Sequence, residues 1–267
     1  MDKDRLSGRK ALVIGAATAD NMGQAIAQRF HDEGAIVVVA GRDADEGERF
    51  ARSLGGHFVR CEMRERPSIA AAVRSAKELM GGLDIAVNAS GWGLLKPFLE
   101  TSEEELVAMS ELSFTGPFML FQELIKAMDQ GGSIIQISSA TARIMVNDHA
   151  AYMGAKAGAD HVVRCVANEF GNRGIRCNSI SPGLTLTPMT AKRAAMPGLV
   201  EAYTKSYPLG RVGTREDIAE AAAWLASDAC FMTGENLQVN GGLLLRGNPS
   251  REDIQRSMRE AAEAAHA

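Results

Sequence analysis

The chain has 267 residues, 46% of them hydrophobic and 23% charged, with a formal net charge of −4 at pH 7. This ordinary globular balance excludes a basic surface for nucleic acid or an anionic membrane. The scattered Cys61, Cys165, Cys177 and Cys230 form no Cys-x-x-Cys pair and have no histidine at metal spacing, which predicts reduced thiols and no metal site. The charged start MDKDRLSGRK lacks a signal-peptide core, and no apolar run reaches the roughly 18 residues of a membrane helix, so we expect a cytoplasmic protein.

Short apolar runs alternate with longer segments of helical periodicity along the chain. Strands are predicted at 10–16, 35–41, 57–61, 83–90, 133–139, 175–181 and 236–242, and helices at 22–34, 43–54, 67–80, 102–130, 150–171 and 214–227. Strands that are apolar throughout are typical of a parallel sheet covered on both faces. We therefore predict an α/β fold, a Rossmann-type doubly wound parallel sheet of about seven strands with helices on both faces.

No linker interrupts this alternation, so residues 1–248 are predicted to form a single domain. The proline-containing stretch from 183 breaks the rhythm, and about residues 184–212 are predicted to be a substrate loop over a site. Residues 249–267 are predicted to form a polar helical extension. Three roles are open for it: capping the pocket, joining subunits or remaining mobile.

The segment GAATADNMGQAIA, residues 15–27, connects the first predicted strand to the first helix. Glycines in this position let the backbone approach a pyrophosphate at a helix N-terminus. Gly15 and Gly23 are eight residues apart, so the spacing is not G-x-G-x-x-G, and a plain tight turn explains it as well. Its place after the first strand of an α/β chain favours the phosphate-binding interpretation.

The end of the second predicted strand indicates which dinucleotide is bound. An NAD enzyme places an acid there to hold the ribose 2′-hydroxyl, whereas Gly41 occupies the position here and Arg42 follows it. A guanidinium suits a 2′-phosphate, so NADP(H) is favoured and NAD(H) remains possible, with Asp43 as the complication. The alternative is a surface arginine at a helix start.

Tyr152 and Lys156 lie one helical turn apart on the same predicted helix face. A tyrosine has an ordinary pKa of about 10, and a neighbouring cation is expected to lower it. Ser139 ends the preceding strand, where its hydroxyl can bond a substrate oxygen while Tyr152 transfers the proton. The alternative is an ordinary polar pair and a capping serine. His149 and Arg143, in the loop between, are interpreted as solvated.

Taken together, these segments resemble the short-chain dehydrogenase/reductase family over about residues 8–245. Tyr152-Met-Gly-Ala-Lys156 matches the Tyr-x-x-x-Lys motif of the family, and Ser139 has the spacing of its third catalytic residue. LDIAVNASG (83–91) is similar to the Asn-Asn-Ala-Gly turn, SPGLTLTPM (181–189) to the Pro-Gly loop and TGENLQVNGG (233–242) to the closing strand.

The resemblance implies an oxidoreductase that moves a hydride between NAD(P)(H) and a carbonyl or secondary alcohol. Tyr152 would be the acid/base, Ser139 would orient the carbonyl, and Lys156 would also bind the nicotinamide ribose. It further implies Glu62 near the adenine and Thr187 at the nicotinamide carboxamide. The complete set of implied cofactor-binding residues is Gly15, Ala17, Asn21, Met22, Gly41, Arg42, Glu62, Met63, Asn88, Ala89, Ser90, Tyr152, Lys156, Pro182, Gly183, Thr185 and Thr187.

The phosphate loop departs from the family pattern, since it is longer and Ile14 replaces the usual threonine. Its shape is closer to the branch that includes enoyl-acyl-carrier reductases. Those enzymes space tyrosine and lysine by six residues, whereas this chain keeps three, which favours carbonyl chemistry over enoyl or 3-oxoacyl reduction. The stretch KAMDQGGS (126–133), with a single basic residue, disfavours an acyl-carrier partner. An NADP(H)-binding sensor without catalysis is the alternative of another class, and the complete Ser-Tyr-Lys set argues against it.

Ser113, in ELSFTGPF (111–118), stands where the family usually has a catalytic asparagine that supports a proton relay. We count it with the catalytic set and expect its hydroxyl to compete for backbone partners and bend the helix.

The predicted pocket segments contribute Trp92, Met145, Leu184 and Met189, which predict a medium-sized, largely apolar carbonyl or alcohol substrate. The predicted helix 113–128 carries more apolar residues than one sheet face needs. With the resemblance, this predicts a homotetramer, or at least a dimer.

Overall fold

A sheet of seven parallel strands lies at the centre of the protein, of which the computed structural model describes residues 4–265. The strands are β1 (Lys10–Ile14), β2 (Ile36–Gly41), β3 (His57–Arg60), β4 (Ile85–Asn88), β5 (Gly132–Ile137), β6 (Ile175–Pro182) and β9 (Asn236–Val239), and a separate two-stranded ribbon pairs β7 (Thr185–Leu186) with β8 (Gly213–Thr214). The sheet order is β3-β2-β1-β4-β5-β6-β9, and every pair is parallel. The predicted Rossmann-type fold is confirmed.

Helices cover both faces of this sheet. The helices of the described chain, including those that lie outside the two faces, are α1 (Met22–Asp32), α2 (Ala44–Ser53), α3 (Arg66–Met80), α4 (Glu103–Ser110), α5 (Gly116–Ala127), α6 (Ala150–Phe170), α7 (Pro188–Ala194), α8 (Leu199–Ser206), α9 (Arg215–Ala226), α10 (Leu243–Arg246) and α11 (Arg251–Ala264). Alternate residues of β1 point to opposite sides, so Leu12 joins the core under α3, α5 and α6, and Val13 joins the core under α1 and α9. Burial on both faces explains why the strands contain apolar residues without a polar alternation.

None of the helices within residues 4–265 combines the length and the apolar character that crossing a membrane requires.

The strand order fixes where a ligand can bind. The chain moves outward from β1 to β3 on one side of the sheet and from β4 to β9 on the other, so the connections diverge between β1 and β4. In open parallel sheets, the crevice at the carboxyl ends beside such a divergence is the binding site.

The predicted helix 102–130 is divided in two by a π-helical turn at Glu111–Thr115. Ser113 lies in this turn and is buried, as expected for a residue that disturbs the helix. The expected competition for backbone partners is not seen, because the Ser113 hydroxyl donates to the Met109 sulfur at 3.4 Å rather than to a backbone group.

The segment after β6 covers the carboxyl edge of the sheet with β7, α7 and α8. Helix α11, within the predicted extension 249–267, packs against α8, and residues 266–267 lie outside the described part of the chain. Arg251 of α11 forms a 2.6 Å ion pair with Asp148, just before α6. The C-terminal helix thus connects the covering segment to the loop that leads to Tyr152.

Candidate active site

A cavity of about 670 Å³ opens at the carboxyl edge of the sheet, between the loops that follow β1 to β6. The predicted site residues that line it are Gly15, Ala17, Asn21, Met22, Gly41, Arg42, Glu62, Met63, Ala89, Ser90, Trp92, Ser139, Tyr152, Lys156, Pro182, Gly183, Thr185, Thr187 and Met189. Residues that are far apart in the sequence, such as Gly15 and Met189, therefore meet in one continuous space.

The loop before α1 is held in place by Asn21. Its side-chain oxygen caps α1 by accepting from the Gln24 backbone N–H at 2.8 Å, and its amide nitrogen donates to the Gly15 carbonyl at 2.7 Å. Gly15 has a positive φ of 89°, and a Cβ there would lie 2.6 Å from the backbone of Ala89. The loop therefore packs directly on the β4 turn, with the free N–H groups of α1 at the cavity.

The end of β2 has no space for a side chain. A Cβ on Gly41 would lie 2.4 Å from the Ala17 Cβ, so an acid cannot occupy this position beside Ala17. Arg42 lines the cavity with its side chain 73% exposed, and one guanidinium nitrogen lies 3.9 Å from a carboxylate oxygen of Glu62. Asp43 caps α2 by accepting from the Glu46 N–H at 3.2 Å, which gives its carboxylate a local role.

Ser139, Tyr152 and Lys156 lie at the other end of the cavity. Lys156 is buried, and its ammonium donates to the main-chain carbonyl of Ile137, the last residue of β5, at 2.8 Å. The same nitrogen lies 5.6 Å from the centre of the Tyr152 ring. The Ser139 hydroxyl shares a 2.9 Å hydrogen bond with Thr141. Helix α6 is thus fixed to the end of β5 at the point where the three side chains meet.

His149 stacks on Tyr152, with ring centres 4.4 Å apart and an angle of 26° between the planes. A ring nitrogen, Nδ1, bonds to the Leu94 carbonyl at 2.5 Å, and burial lowers the pKa of the imidazole. The sequence interpretation of a solvated histidine is therefore wrong. His149 and Tyr152 are three residues apart, a spacing that brings side chains together on a helix. That spacing does not reveal the Leu94 carbonyl, which orients the ring.

Burial dominates the electrostatics of the Tyr-Lys pair. It raises the pKa of Tyr152 to about 12, although the Ser139 hydroxyl opposes the rise. Burial also lowers the pKa of Lys156 to about 8, while the charge of Asp160 acts in the other direction. The expectation of a lowered tyrosine pKa is wrong for this structure, because desolvation raises the pKa of Tyr152. Tyr152 is therefore protonated at neutral pH, the state that can donate a proton.

Four predicted site residues do not line the cavity. Asn88 is buried beneath it, donating to Gln136 at 2.9 Å and accepting from the Ser90 N–H at 3.1 Å, so it shapes the turn from below. Ser113 is confined to its contact with Met109. The remaining two are Met145, whose side chain is exposed, and Leu184, which packs against the core formed by α8 and α10.

The cavity also includes residues outside the predicted set of site residues. They are Ile14, Thr18, Gly23, Asp43, Cys61, Gly91, Leu112, Ile137, Ser138, Pro188 and Thr190. Most of them are neighbours in sequence of predicted residues at strand ends. Ser138 and Thr190 are among the lining residues, but their hydroxyls donate within the protein, to the Asp160 carboxylate and the Thr185 carbonyl respectively.

Comparison with known proteins agrees with this geometry. A family model described as enoyl-(acyl carrier protein) reductase matches residues 15–244. D-threitol dehydrogenase from Mycolicibacterium smegmatis is 34% identical over 91% of this chain and 95% of its own. 3beta-hydroxysteroid dehydrogenase 1 from Eggerthella lenta is 35% identical over 91% of this chain and 96% of its own.

The fold is shared with a short-chain type dehydrogenase/reductase from Mycobacterium ulcerans. That structure superposes with a TM-score of 0.88 at 27% identity, covering 97% of this chain and 98% of the other. The family model and the relatives extend over nearly the whole length that contains the cavity. The chain therefore belongs to the short-chain dehydrogenase/reductase family of oxidoreductases.

Proposed function

We propose that the protein transfers a hydride between NADP(H) and a carbonyl or secondary alcohol, with Tyr152 as acid/base. The observation that carries this proposal is the single cavity that joins the loop at Gly15 and Arg42 to Ser139, Tyr152 and Lys156. Its lining suits a dinucleotide, with a helix N-terminus and a cation at one end and the proposed proton-transfer groups at the other.

The residues present fit this cofactor. The N-terminus of α1 and the loop from Gly15 to Met22 would hold the pyrophosphate, and Arg42 would pair with the 2′-phosphate. Glu62 and Met63 would border the adenine, while Lys156 would bond to the nicotinamide ribose. The loop of Pro182, Gly183, Thr185 and Thr187 would border the nicotinamide. When bound, the nicotinamide supplies or accepts the hydride.

The chemical steps assigned to the chain concern one proton. During carbonyl reduction, the Ser139 hydroxyl donates a hydrogen bond to the substrate oxygen and holds it beside Tyr152. The Tyr152 hydroxyl gives its proton to that oxygen as negative charge develops there. The Lys156 ammonium stabilises the resulting phenolate. Oxidation uses the same groups in reverse.

The substrate end of the cavity favours a largely apolar molecule of medium size. Trp92, Leu112 and Met189 line it, and adaptable methionine contacts tolerate varied shapes. Two similar proteins are named for alicyclic alcohols, a 3beta-hydroxysteroid and trans-4-hydroxycyclohexanecarboxylate. We propose an alicyclic secondary alcohol, or the matching ketone, as the substrate class.

Reduction of an enoyl or 3-oxoacyl substrate is the second candidate, favoured by the name of the matching family model. The Tyr-x-x-x-Lys spacing supports the carbonyl reaction instead. Separate assays with a cyclohexanone, an enoyl thioester and a 3-oxoacyl thioester would distinguish the reactions by their products.

The proposal is tested first by titrating the purified protein with NADPH and NADH and following nucleotide fluorescence. Tighter NADPH binding is expected, followed by NADPH oxidation when alicyclic ketones are added. Tyr152→Phe should reduce turnover roughly 100- to 10,000-fold with little change in cofactor Kd. Tyr203→Phe, at another buried tyrosine outside the cavity, is the control. Binding of neither nucleotide would contradict the proposal, and binding without turnover on any substrate would favour a sensor.

We further propose a homotetramer, or at least a dimer. An apolar groove between α4 and α6 contains Phe98, Leu106 and Phe114, with Ala155 and Gly158 at its base. Phe98 is 75% exposed, so burial by a second subunit would remove considerable apolar surface from water. A sedimentation mass near 28.5 kDa at micromolar concentration would contradict this assembly.

A further inference from the structure

Asp160 lies on α6 one helical turn beyond Lys156, where it faces the strands beneath the cavity. Its Oδ2 accepts from the Ser138 hydroxyl at 2.8 Å and from the Asn236 side-chain amide. Its Oδ1 is buried and has no hydrogen-bond partner among residues 4–265. The carboxylate is therefore held by the residue that follows β5 and by β9, while its second oxygen has no hydrogen-bond partner in the described part of the chain.

A buried carboxylate is costly unless a positive charge compensates for its lost hydration. The groups that face it from the sheet are uncharged: Ser138 just after β5, Ser179 in β6 and Asn236 in β9. The charge that acts on it comes from Lys156 on its own helix. Lys156 has the complementary problem, since it is buried and its direct partner is a neutral carbonyl.

The charges of Asp160 and Lys156 therefore stabilise each other electrostatically, without a direct hydrogen bond. The carboxylate favours the protonated form of Lys156, and the ammonium favours the ionised form of Asp160. Burial acts against both ions, so neither charge is independent of its partner. Ser138 and Asn236 add hydrogen bonds that favour the ionised carboxylate.

We propose that Asp160 is a positioning residue that keeps Lys156 protonated during carbonyl reduction, and that Ser138 and Asn236 hold its carboxylate in place for this purpose. The proposal rests on the proposed function, because it acts through the proposed Lys156 role. Asp160 does not line the cavity, so substrate and cofactor contacts do not explain it.

Removing the Asp160 charge should shift the pH dependence of carbonyl reduction in one direction, toward lower pH. Reduction requires Tyr152 and Lys156 to be protonated, and the negative charge of Asp160 favours the protonated form of both. Asp160→Asn removes that charge with little change in shape, so both groups lose protons at lower pH. The alkaline limb of kcat/KM for reduction should move down by about one pH unit, roughly a tenfold loss just above the limb.

The experiment measures kcat/KM for reduction of a cyclic ketone between pH 5 and 10 for the full-length protein and four variants. Asp160→Asn should move the alkaline limb of kcat/KM to lower pH. Asp160→Glu should return it at least halfway toward the wild-type position. Ser138→Ala, which keeps the charge but removes a hydrogen bond, should move it in the same direction by less. Glu169→Gln removes an equal charge from the exposed surface of α6 and should leave it unchanged.

The outcomes separate this inference from the proposed function. If the wild type turns over and the alkaline limb of Asp160→Asn is unshifted, the inference about Asp160 is overturned while the proposed function stands. An equal shift of the limb in Glu169→Gln would have the same meaning. Loss of activity at every pH without a shift would indicate a structural role and also overturn it. If Asp160→Asn fails to fold, an unshifted limb in Ser138→Ala would overturn the inference in its place. No wild-type turnover would instead reject the proposed function.

Discussion

Gly41 lies so close to Ala17 that a Cβ atom on residue 41 would be 2.4 Å from the Ala17 Cβ. The small residues at the end of β2 and in the loop after β1 therefore fit each other, with Gly41 opposite Ala17. An acidic side chain for a ribose 2′-hydroxyl requires a change at both positions. This pair makes the cofactor preference testable by substitution.

We predict that Ala17→Gly combined with Gly41→Asp shifts the preference from NADPH toward NADH. The smaller residue at 17 creates space, and the new carboxylate bonds to a 2′-hydroxyl but repels a 2′-phosphate. The ratio of the two Kd values should change by about tenfold or more, equivalent to about 1.4 kcal/mol. Fluorescence titration of both nucleotides measures it.

Ala17→Gly alone is the control for this cofactor change and should keep the wild-type preference. Gly41→Asp alone should weaken both nucleotides because of the contact with Ala17. A double variant that still prefers NADPH by the original ratio would show that the end of β2 does not select the cofactor.

The pKa values of the Tyr-Lys pair predict opposite pH profiles for the two reaction directions. In the proposed mechanism, reduction needs protonated Tyr152 and Lys156, and Lys156, with a pKa of about 8, loses its proton first as pH rises. We expect kcat/KM for reduction to be level below about pH 7 and to fall above about pH 8. Oxidation needs the Tyr152 phenolate, so its rate should increase with pH over the same range.

Initial rates in both directions between pH 6 and 10, with cofactor Kd measured at each pH, test this prediction. The Kd values separate proton transfer from changes in cofactor binding at Lys156. Parallel profiles for the two directions would contradict the assignment of Tyr152 as the acid/base.

The fold could be predicted because its strands contain few polar residues. The segments ending at Ile14, Gly41 and Asn88 carry continuous apolar runs, which only burial on both faces explains. Once the sheet is parallel, its carboxyl ends must share one edge, so residues after different strands are expected at one site. This reasoning predicted that the loop at Gly15 and Ser139 would lie at one edge of the sheet, and both line the cavity there.

The errors concern properties that spacing does not contain. The pKa of Tyr152 is raised mainly by burial, which the spacing of Tyr152 and Lys156 does not reveal. The positions of Met145 and Leu184 depend on the path of irregular loops, which expose Met145 and pack the partly buried Leu184 against the core formed by α8 and α10. The orientation of His149 depends on the Leu94 carbonyl, which is 55 residues distant in sequence.

We predict that His149→Ala lowers kcat by about tenfold, because the Tyr152 ring loses the stacked partner that fixes its orientation. His149→Phe keeps an aromatic partner but loses the bond to Leu94, and should have an intermediate effect. Steady-state kinetics with saturating NADPH measure both variants. Cofactor Kd should remain unchanged, since His149 does not line the cavity.

His161→Ala, at an exposed histidine on the same helix, is the control and should behave like the wild type. Equal kcat values for His149→Ala and the wild type would reject a positioning role for the stacked ring. A large rise in KM with unchanged kcat would instead indicate direct contact with substrate.

We predict that Glu33→Gln destabilises the fold by about 2–3 kcal/mol at pH 7, because Glu33 is buried between two arginines. Its Oε1 pairs with Arg5 at 2.5 Å and Arg29 at 2.6 Å, and its side chain is 2% exposed. Glu220 of α9 pairs with the same two arginines at 2.8 Å, so the network joins α1, α9 and the segment before β1. Urea unfolding followed by circular dichroism measures the loss.

The pH dependence of this loss identifies its cause. The Arg5 guanidinium holds the pKa of Glu33 at about 2, below the usual 4.5. A depressed folded-state pKa adds stability that is complete above about pH 4.5 and disappears as pH falls toward 2. The difference between wild type and Glu33→Gln should therefore shrink between pH 5 and pH 3. Glu48→Gln, which breaks an exposed pair with Arg52, should cost less than about 0.5 kcal/mol. A Glu33→Gln difference that stays constant over this range would mean that packing, rather than charge, explains the loss.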